Sequence, residues 1–379
     1  MDFNISEEQG SVQQLAQQIL GDFTAVEQLK AIEQQAASFD SKLWQALADA
    51  GLLGLDIEER HGGTDLGFYS LTTLCEEVGR SVAPLPLVPV LVSAAGTLRR
   101  FASDQQKEQW LPGISQGSVM ISAALEEYNN DDPTAPGCSA KLMDGGYAIS
   151  GTKVCVSAAD SVRRILLSAR AGSDLVVALV DPQAAGVTLA PQLVTSGETR
   201  YELTMDRVQV PGADIVVTGS QALAAMNWAQ QATRTALCAT AIGLCDKMMR
   251  MTGQYTTERQ QFGRAIATFQ AVSHRVADCF IDVECLRLVT QQAASLIDQD
   301  RPAAEAATIA KIWCGDVTHR VSQAAQHCHG GTGVDRDYPL YRYCLSARQV
   351  ELTAGSSAQL TGALGNSICA EYLQARGNE

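Results

Sequence analysis

The sequence predicts an α+β protein of three parts. These are an N-terminal helical domain over residues 1–119, a central β-domain over 120–219 and a C-terminal four-helix bundle over 220–379. Three observations predict it. Apolar residues recur at helical steps up to about Arg100. Short alternating runs bounded by Gly, Asp, Asn or Pro take over from about Gly117. Long, Pro-poor helical stretches return after Gln221. A length of 379 residues accommodates two or three domains around a large core.

In the first part Ser6-Glu7-Glu8 reads as a helix start, followed by Leu15, Ile19, Phe23, Leu29 and Ile32 at mostly helical spacing. WQALADAGLLG, residues 44–54, is a short helix closed by Gly, and GLDIEERHGG turns the chain into the helix LTTLCEEVGR. The middle part contains VMISAAL, YAISGTKVCVS, RILLSAR, LVVALV and YELTMDRVQV, a set of strands that builds an antiparallel barrel or sandwich. The last part holds long helices in succession, the pattern of a four-helix bundle. A dinucleotide-binding fingerprint is not present, because the Gly cluster at 330–333 follows a helical run and lacks a preceding strand.

The balance of 28 Lys+Arg against 42 Asp+Glu, without a basic run, argues against nucleic acid or an anionic membrane surface as partner. Eleven cysteines are scattered without a CxxC pair, many in apolar helical runs where Cys acts as a small hydrophobe. That usage predicts a reduced, cytoplasmic protein. The acidic start MDFNISEEQ is not expected to be a signal peptide, and no stretch of 18 apolar residues occurs. His274, His327 and His329 lack Cys or carboxylate partners in a ligand pattern, so no metal is expected.

The stretch around which the chain is organised is YTTERQQFGRAIATFQ, residues 255–270. Arg259-x-x-Phe262-Gly263 sets a guanidinium and an aromatic wall at a bend between two long helices, suited to a phosphate diester carrying a planar ring. An ion-paired surface turn reads the same way on chemistry alone. The stretch resembles the flavin-contacting helix corner of the acyl-CoA dehydrogenase family. A second block, HCHGGTGVDRDYPLYRYCLSARQVELTAGSS at 327–357, resembles that family's HGG-x-G turn, Tyr-Pro pair and closing helix. The N-terminal order of Trp-x-x-Leu, Gly-Leu turn, Gly-Gly loop and Glu-Glu-x-Gly-Arg is similar too.

The resemblance implies FAD as cofactor and removal of two hydrogens across the α and β carbons of an acyl-CoA thioester. A carboxylate takes the α proton and flavin N5 the β hydride. It also implies where that carboxylate belongs: sixteen residues after Tyr338, which is Ala354, or one residue before Arg234, which is Thr233. Neither is an acid, so no catalytic base is assigned. Glu351, three residues before Ala354, is a weak alternative, as are Glu126 and Glu127 at a strand end. On the ring side Leu125 stands where the family carries Thr, and Cys155-Val156-Ser157 replaces its Trp-x-Ser/Thr strand, keeping only the Ser157 hydroxyl.

The residues that the family extends to a neighbouring subunit's FAD are largely kept. They are Arg259, Phe262, Gln270, Gly330 and Gly331, with His327 where Gln is usual. Arg234 matches a helix Arg near the substrate, although an Arg there also serves as an ion-pair partner. The resemblance therefore extends to the heteromeric acyl-CoA dehydrogenases of steroid side-chain degradation, in which one subunit type lacks the base. The expected partner is a second acyl-CoA dehydrogenase subunit in a heterotetramer. A homo-oligomer with a relocated base, or a non-catalytic flavin- or acyl-CoA-binding protein, is the alternative.

Overall fold

The computed structural model describes residues 6–34 and 39–377. Residues 1–5, part of the start that was expected not to be a signal peptide, lie outside the described residues. Six helices open the fold: α1 (Glu7–Phe23), α2 (Val26–Glu33), α3 (Ser41–Asp49), α4 (Gly67–Ser81), α5 (Gly96–Phe101) and α6 (Asp104–Ser115). The expected start is a capping box. The Gln9 N–H donates to Ser6 Oγ, and Gln9 Oε1 accepts from the Ser6 N–H.

Eight strands follow: β1 (Ile121–Ala124), β2 (Ser139–Met143), β3 (Gly146–Ser157), β4 (Arg164–Ala171), β5 (Asp174–Val180), β6 (Val187–Leu193), β7 (Thr199–Pro211) and β8 (Ile215–Thr218). They form one sheet in the order β6-β7-β3-β2-β4-β5-β8, with β1 alongside β4. The sheet is not wholly antiparallel, as the sequence leads one to expect, because β1 and β2 both run parallel to β4. These partners are far apart in the chain, so no tight turn forces a reversal between them. β4 and β5 are buried along nearly their whole length, whereas β6, at the open edge, is mostly exposed.

The C-terminal part is built on α7 (Gly219–Glu258), α8 (Gln270–Asp298), α9 (Ala304–His329) and α10 (Leu340–Leu352), with α11 (Ser357–Gly377) added beyond the expected four. α7 has 40 residues, so it spans about 60 Å. Glycines let α4 lie directly on it. A Cβ at Gly79 would come within 2.1 Å of the Thr240 carbonyl oxygen, and one at Gly243 within 1.9 Å of that of Glu76. Charges tie α4 to two helices: Arg80 pairs with Asp246 of α7, and Arg287 Nη1 of α8 meets Glu76 at 2.7 Å. The bend after α7 is more than a helix corner. It is a hairpin of β9 (Gln260–Gln261) and β10 (Arg264–Ala265), with Phe262 at φ +53° and Gly263 at φ +77° between them. Two left-handed central residues are what a type I′ turn requires.

Candidate active site

A cavity of about 430 Å³ lies where α2, the segment before α5, the ends of β1 and β3, α7 and α10 meet. Thr233 on α7 and Ala354 just after α10 both line it, as do Leu125, Cys155 and Ser157. Two positions 121 residues apart, the alternative seats that the resemblance gives for one acid, thus converge on one space without supplying it. The Thr233 hydroxyl is engaged with Ser93 Oγ at 2.6 Å.

Ala354 has φ +59°, a left-handed conformation that costs a non-Gly residue of order 1 kcal/mol or more unless its surroundings enforce it. They do. Arg234 Nε donates to the Ala354 carbonyl at 3.0 Å. Lys311 Nζ donates to the Glu351 and Gly355 carbonyls at 3.0 and 3.2 Å. Lys311 is fully buried, and it satisfies carbonyls at and just beyond the C-terminus of α10, where a cation is favoured. Arg234 does not line the cavity; it stands behind the turn and fixes it. Glu351 does not line the cavity either. Its carboxylate faces Arg348 at 2.5 Å and His319 at 3.7 Å.

The neighbouring acids Glu126 and Glu127 separate because successive side chains of an extended chain point to opposite sides. Glu127 turns into the β-domain, where its Oε1 lies 2.7 Å from the Nζ of the fully buried Lys153, off the ideal hydrogen-bond direction. Burial pushes the Glu127 carboxyl up, but Lys153 and the Gly137 and Cys138 N–H groups outweigh it and bring it down to about 2. Glu126 turns into the cavity, where its Oε1 accepts the Ala354 N–H at 2.8 Å. Cys155 sits at a bulge in β3 with φ +55°, its N–H donating to Gln192 Oε1 at 2.8 Å. Burial, and then the Glu126 charge, push its thiol up.

The second group of singled-out residues lies elsewhere. Arg259, Phe262, Gln270, His327, Gly330 and Gly331 are all exposed, and none lines the cavity. Phe262, at the hairpin tip, is 92 % exposed and meets the Phe269 ring edge to face. Gly330 needs its φ of +58°, and a Cβ on Gly330 or Gly331 would meet nothing, so the turn presents open backbone. His327 Nδ1 contacts Arg275. Beneath this surface Tyr255 stacks on the buried His329 at 4.3 Å. His329 Nδ1–H donates to the Ala325 carbonyl at 2.8 Å, so Nε2 accepts from the Tyr338 hydroxyl at 3.1 Å. Burial lowers the His329 pKa, which keeps the ring neutral. The stack anchors the root of the hairpin to the glycine turn.

Lys311, Lys153 and the Glu126–Ala354 contact were not singled out by motif reasoning. A signal for the two lysines exists: each is a lone cation inside an apolar run, ATIAKIW and GTKVCV. Among the described residues no three His, Cys, Asp or Glu side chains are grouped to hold a metal ion, and no helix is long and apolar enough to cross a membrane.

Residues 6–118 match the description "Acyl-CoA dehydrogenase, N-terminal domain" and residues 223–368 match "Acyl-CoA dehydrogenase, C-terminal domain". FadE28 of Mycobacterium tuberculosis, an acyl-CoA dehydrogenase, is 31% identical over 84% of this chain and 90% of its own length. The chain belongs to the acyl-CoA dehydrogenase family. FadE27 of the same organism is 29% identical over 97% of this chain and 99% of its own. Among solved structures of the family, the Tcur3481-Tcur3483 steroid ACAD G363A variant is 37% identical with TM-score 0.91, covering 98% of this chain and 100% of that one. The ChsE4-ChsE5 complex from Mycobacterium tuberculosis is 29% identical with TM-score 0.92, covering 97% and 99%. Butyryl-CoA dehydrogenase from Megasphaera elsdenii, at 22% identity and TM-score 0.89, shares the acyl-CoA dehydrogenase fold.

Proposed function

We propose that this chain is the base-lacking subunit of a heteromeric, FAD-dependent acyl-CoA dehydrogenase that removes two hydrogens across the α,β bond of an acyl-CoA. The observation that carries the reading is spatial. Thr233 and Ala354, the two seats that the resemblance gives for the carboxylate, line one cavity, while Arg259 and Phe262 of the hairpin do not line it and the Phe262 ring is exposed. Two of the similar solved structures are named for two components, Tcur3481-Tcur3483 and ChsE4-ChsE5, which supports a partner of the same family.

The outward surface fits part of an FAD. Arg259 would meet the pyrophosphate, Phe262 and Gln270 the adenosine side, and the open Gly330–Gly331 backbone with His327 the remaining edge. The chain's own cavity fits the flavin ring poorly. Leu125 brings no side-chain donor where the family carries Thr, and Cys155 brings no flat ring where it carries Trp, although Ser157 keeps its hydroxyl. FAD, when bound, supplies the hydride acceptor at N5. Arg234 serves the substrate site by holding the Ala354 turn. We also propose domain limits at 119 and 219, and a cytoplasmic setting, in keeping with the free cysteines among the described residues.

One observation favours a second reading, a homomeric enzyme with a relocated base: Glu126 does reach the cavity. Anaerobic flavin bleaching with a panel of saturated acyl-CoA esters separates the two. The isolated chain, incubated with FAD, is expected not to bleach, and the chain co-expressed with an acid-bearing family member is expected to bleach. Bleaching by the isolated chain would establish the second reading.

A further inference from the structure

We propose that a polar cavity between the N-terminal helices and the end of α8 is a binding site for a small organic diammonium ion. The cavity holds about 430 Å³ and shares no lining residue with the one described above. One side is the loop before α4, which supplies Asp56, Glu58 and Asp65, together with Arg99 and Arg100 of α5. The other side is Asp298, the last residue of α8, with Asp300 just beyond it. Five carboxylates thus share one space with two guanidiniums.

Most of these charges are already engaged. Asp298 Oδ1 accepts the Tyr69 N–H at 3.2 Å, Arg100 pairs with Asp300, and Glu58 Oε2 lies 3.1 Å from His61 Nδ1. Arg100 also stands over the Trp228 ring, 4.9 Å from its centroid. Arg99 is divided, with Nη1 3.2 Å from Asp56 Oδ1 and Nη2 3.5 Å from Asp65 Oδ1. Asp56 is what remains. It is 5 % exposed and lines the cavity. Among the described residues no hydrogen bond reaches either of its carboxylate oxygens, since Arg99 approaches Oδ1 off the required direction.

A carboxylate left in this way bears the desolvation of its charge without a donor to offset it. The two arginines do not make up the difference: burial pushes the Asp56 carboxyl up to about 6, with Arg99 and then Arg100 opposing it only in part. What the cavity lacks is a charged donor at Asp56. A metal ion does not fit, because among the described residues no three acids are grouped to share one. An ammonium group does: it carries three donors on a compact charge, demands no fixed coordination geometry, and makes a charge-assisted hydrogen bond to a single carboxylate. Acids on two sides of the space favour two such groups on a short aliphatic spacer, one end at Asp56 and the other toward Asp298 and Asp300.

The test titrates 1,4-diaminobutane calorimetrically into the full chain, wild type and Asp56→Asn, at low ionic strength and a pH above 6, where Asp56 is ionised. Melting curves establish that each form is folded. Wild type is expected to bind the diamine about 10- to 100-fold more tightly than Asp56→Asn, the equivalent of one charge-assisted hydrogen bond. Its affinity is expected to fall as the pH drops through about 6, when the carboxyl takes up its proton. Butylamine, with one charge, is expected to bind wild type more weakly than the diamine. Where Asp56→Asn does not fold, Asp65→Asn carries the test, since Asn tolerates the left-handed φ of +53° at that position. It is expected to weaken binding about threefold. No binding by wild type overturns the site. Equal binding by wild type and the folded variant overturns it too, and assigns the diamine to the acidic surface at large.

Discussion

The cavity wall and the hairpin corner are two regions of one helical framework that have diverged in opposite senses. At the cavity the framework is ordered and, on the proposed reading, the catalytic acid is missing from it. Arg234, Lys311 and the Ser93–Thr233 pair hold an alanine in a left-handed turn and a threonine in a helix wall. At the corner the chemistry is present and this chain makes little use of it. A guanidinium, an aromatic ring and an open glycine turn face solvent, supported from behind by the Tyr255–His329–Tyr338 stack. On the proposed reading the difference teaches that rigid positioning and reactive side chains separate readily: a site can lose its acid without losing the bonds that would have aimed it.

The comparison breaks most visibly if the acid can simply be put back. Ala354→Glu in the isolated chain is expected to leave dehydrogenation about 10²–10⁴-fold below that of the assembled enzyme, because the carboxylate returns beside Glu126 and without a ring pocket. Full activity of that variant alone, in a bleaching assay, would show that only one residue separates the cavity from a complete site.

The next effect concerns the framework. Lys153→Met leaves Glu127 with an uncompensated charge that is 9% exposed, and is expected to destabilise by about 3–5 kcal/mol in denaturant unfolding. A loss under 1 kcal/mol would mean that the β-domain does not depend on this pair. A smaller effect follows from the same carboxyl. Glu127 titrates near 2 in the fold against 4.5 for the free group, so its ionised form stabilises fully above about pH 4.5 and that contribution is lost as the pH falls toward 2. The stability gap between wild type and Glu127→Gln should therefore shrink from pH 5 to pH 2.5. A constant gap would place the bond's value outside ionisation.

The three-part fold was legible because its periods differ: helical steps, alternation, then helical steps again, which single residues cannot disguise. The parallel pairing of β1 and β2 with β4 was not, since strand direction depends on partners distant in sequence. The hairpin was partly legible. Gly263 marks the bend, but Phe262 at φ +53° is a residue that propensity places elsewhere. At the site, motif spacing brought attention to Thr233 and Ala354, which line one cavity. Glu351 and Arg234 were harder to place, because position on a helix face does not tell which side of a turn a long side chain serves. Glu126 and Glu127 could be separated only by seeing where the extended chain faces.

The claim that the corner serves a neighbouring subunit is tested most directly by Arg259→Ala in the assembled oligomer, scored by the FAD retained per chain after desalting. A charge-assisted contact to phosphate contributes about 1.5–3 kcal/mol, so flavin affinity is expected to fall roughly 10- to 100-fold and the variant to emerge largely colourless with its assembly intact. Flavin content equal to that of the wild-type oligomer would contradict the account.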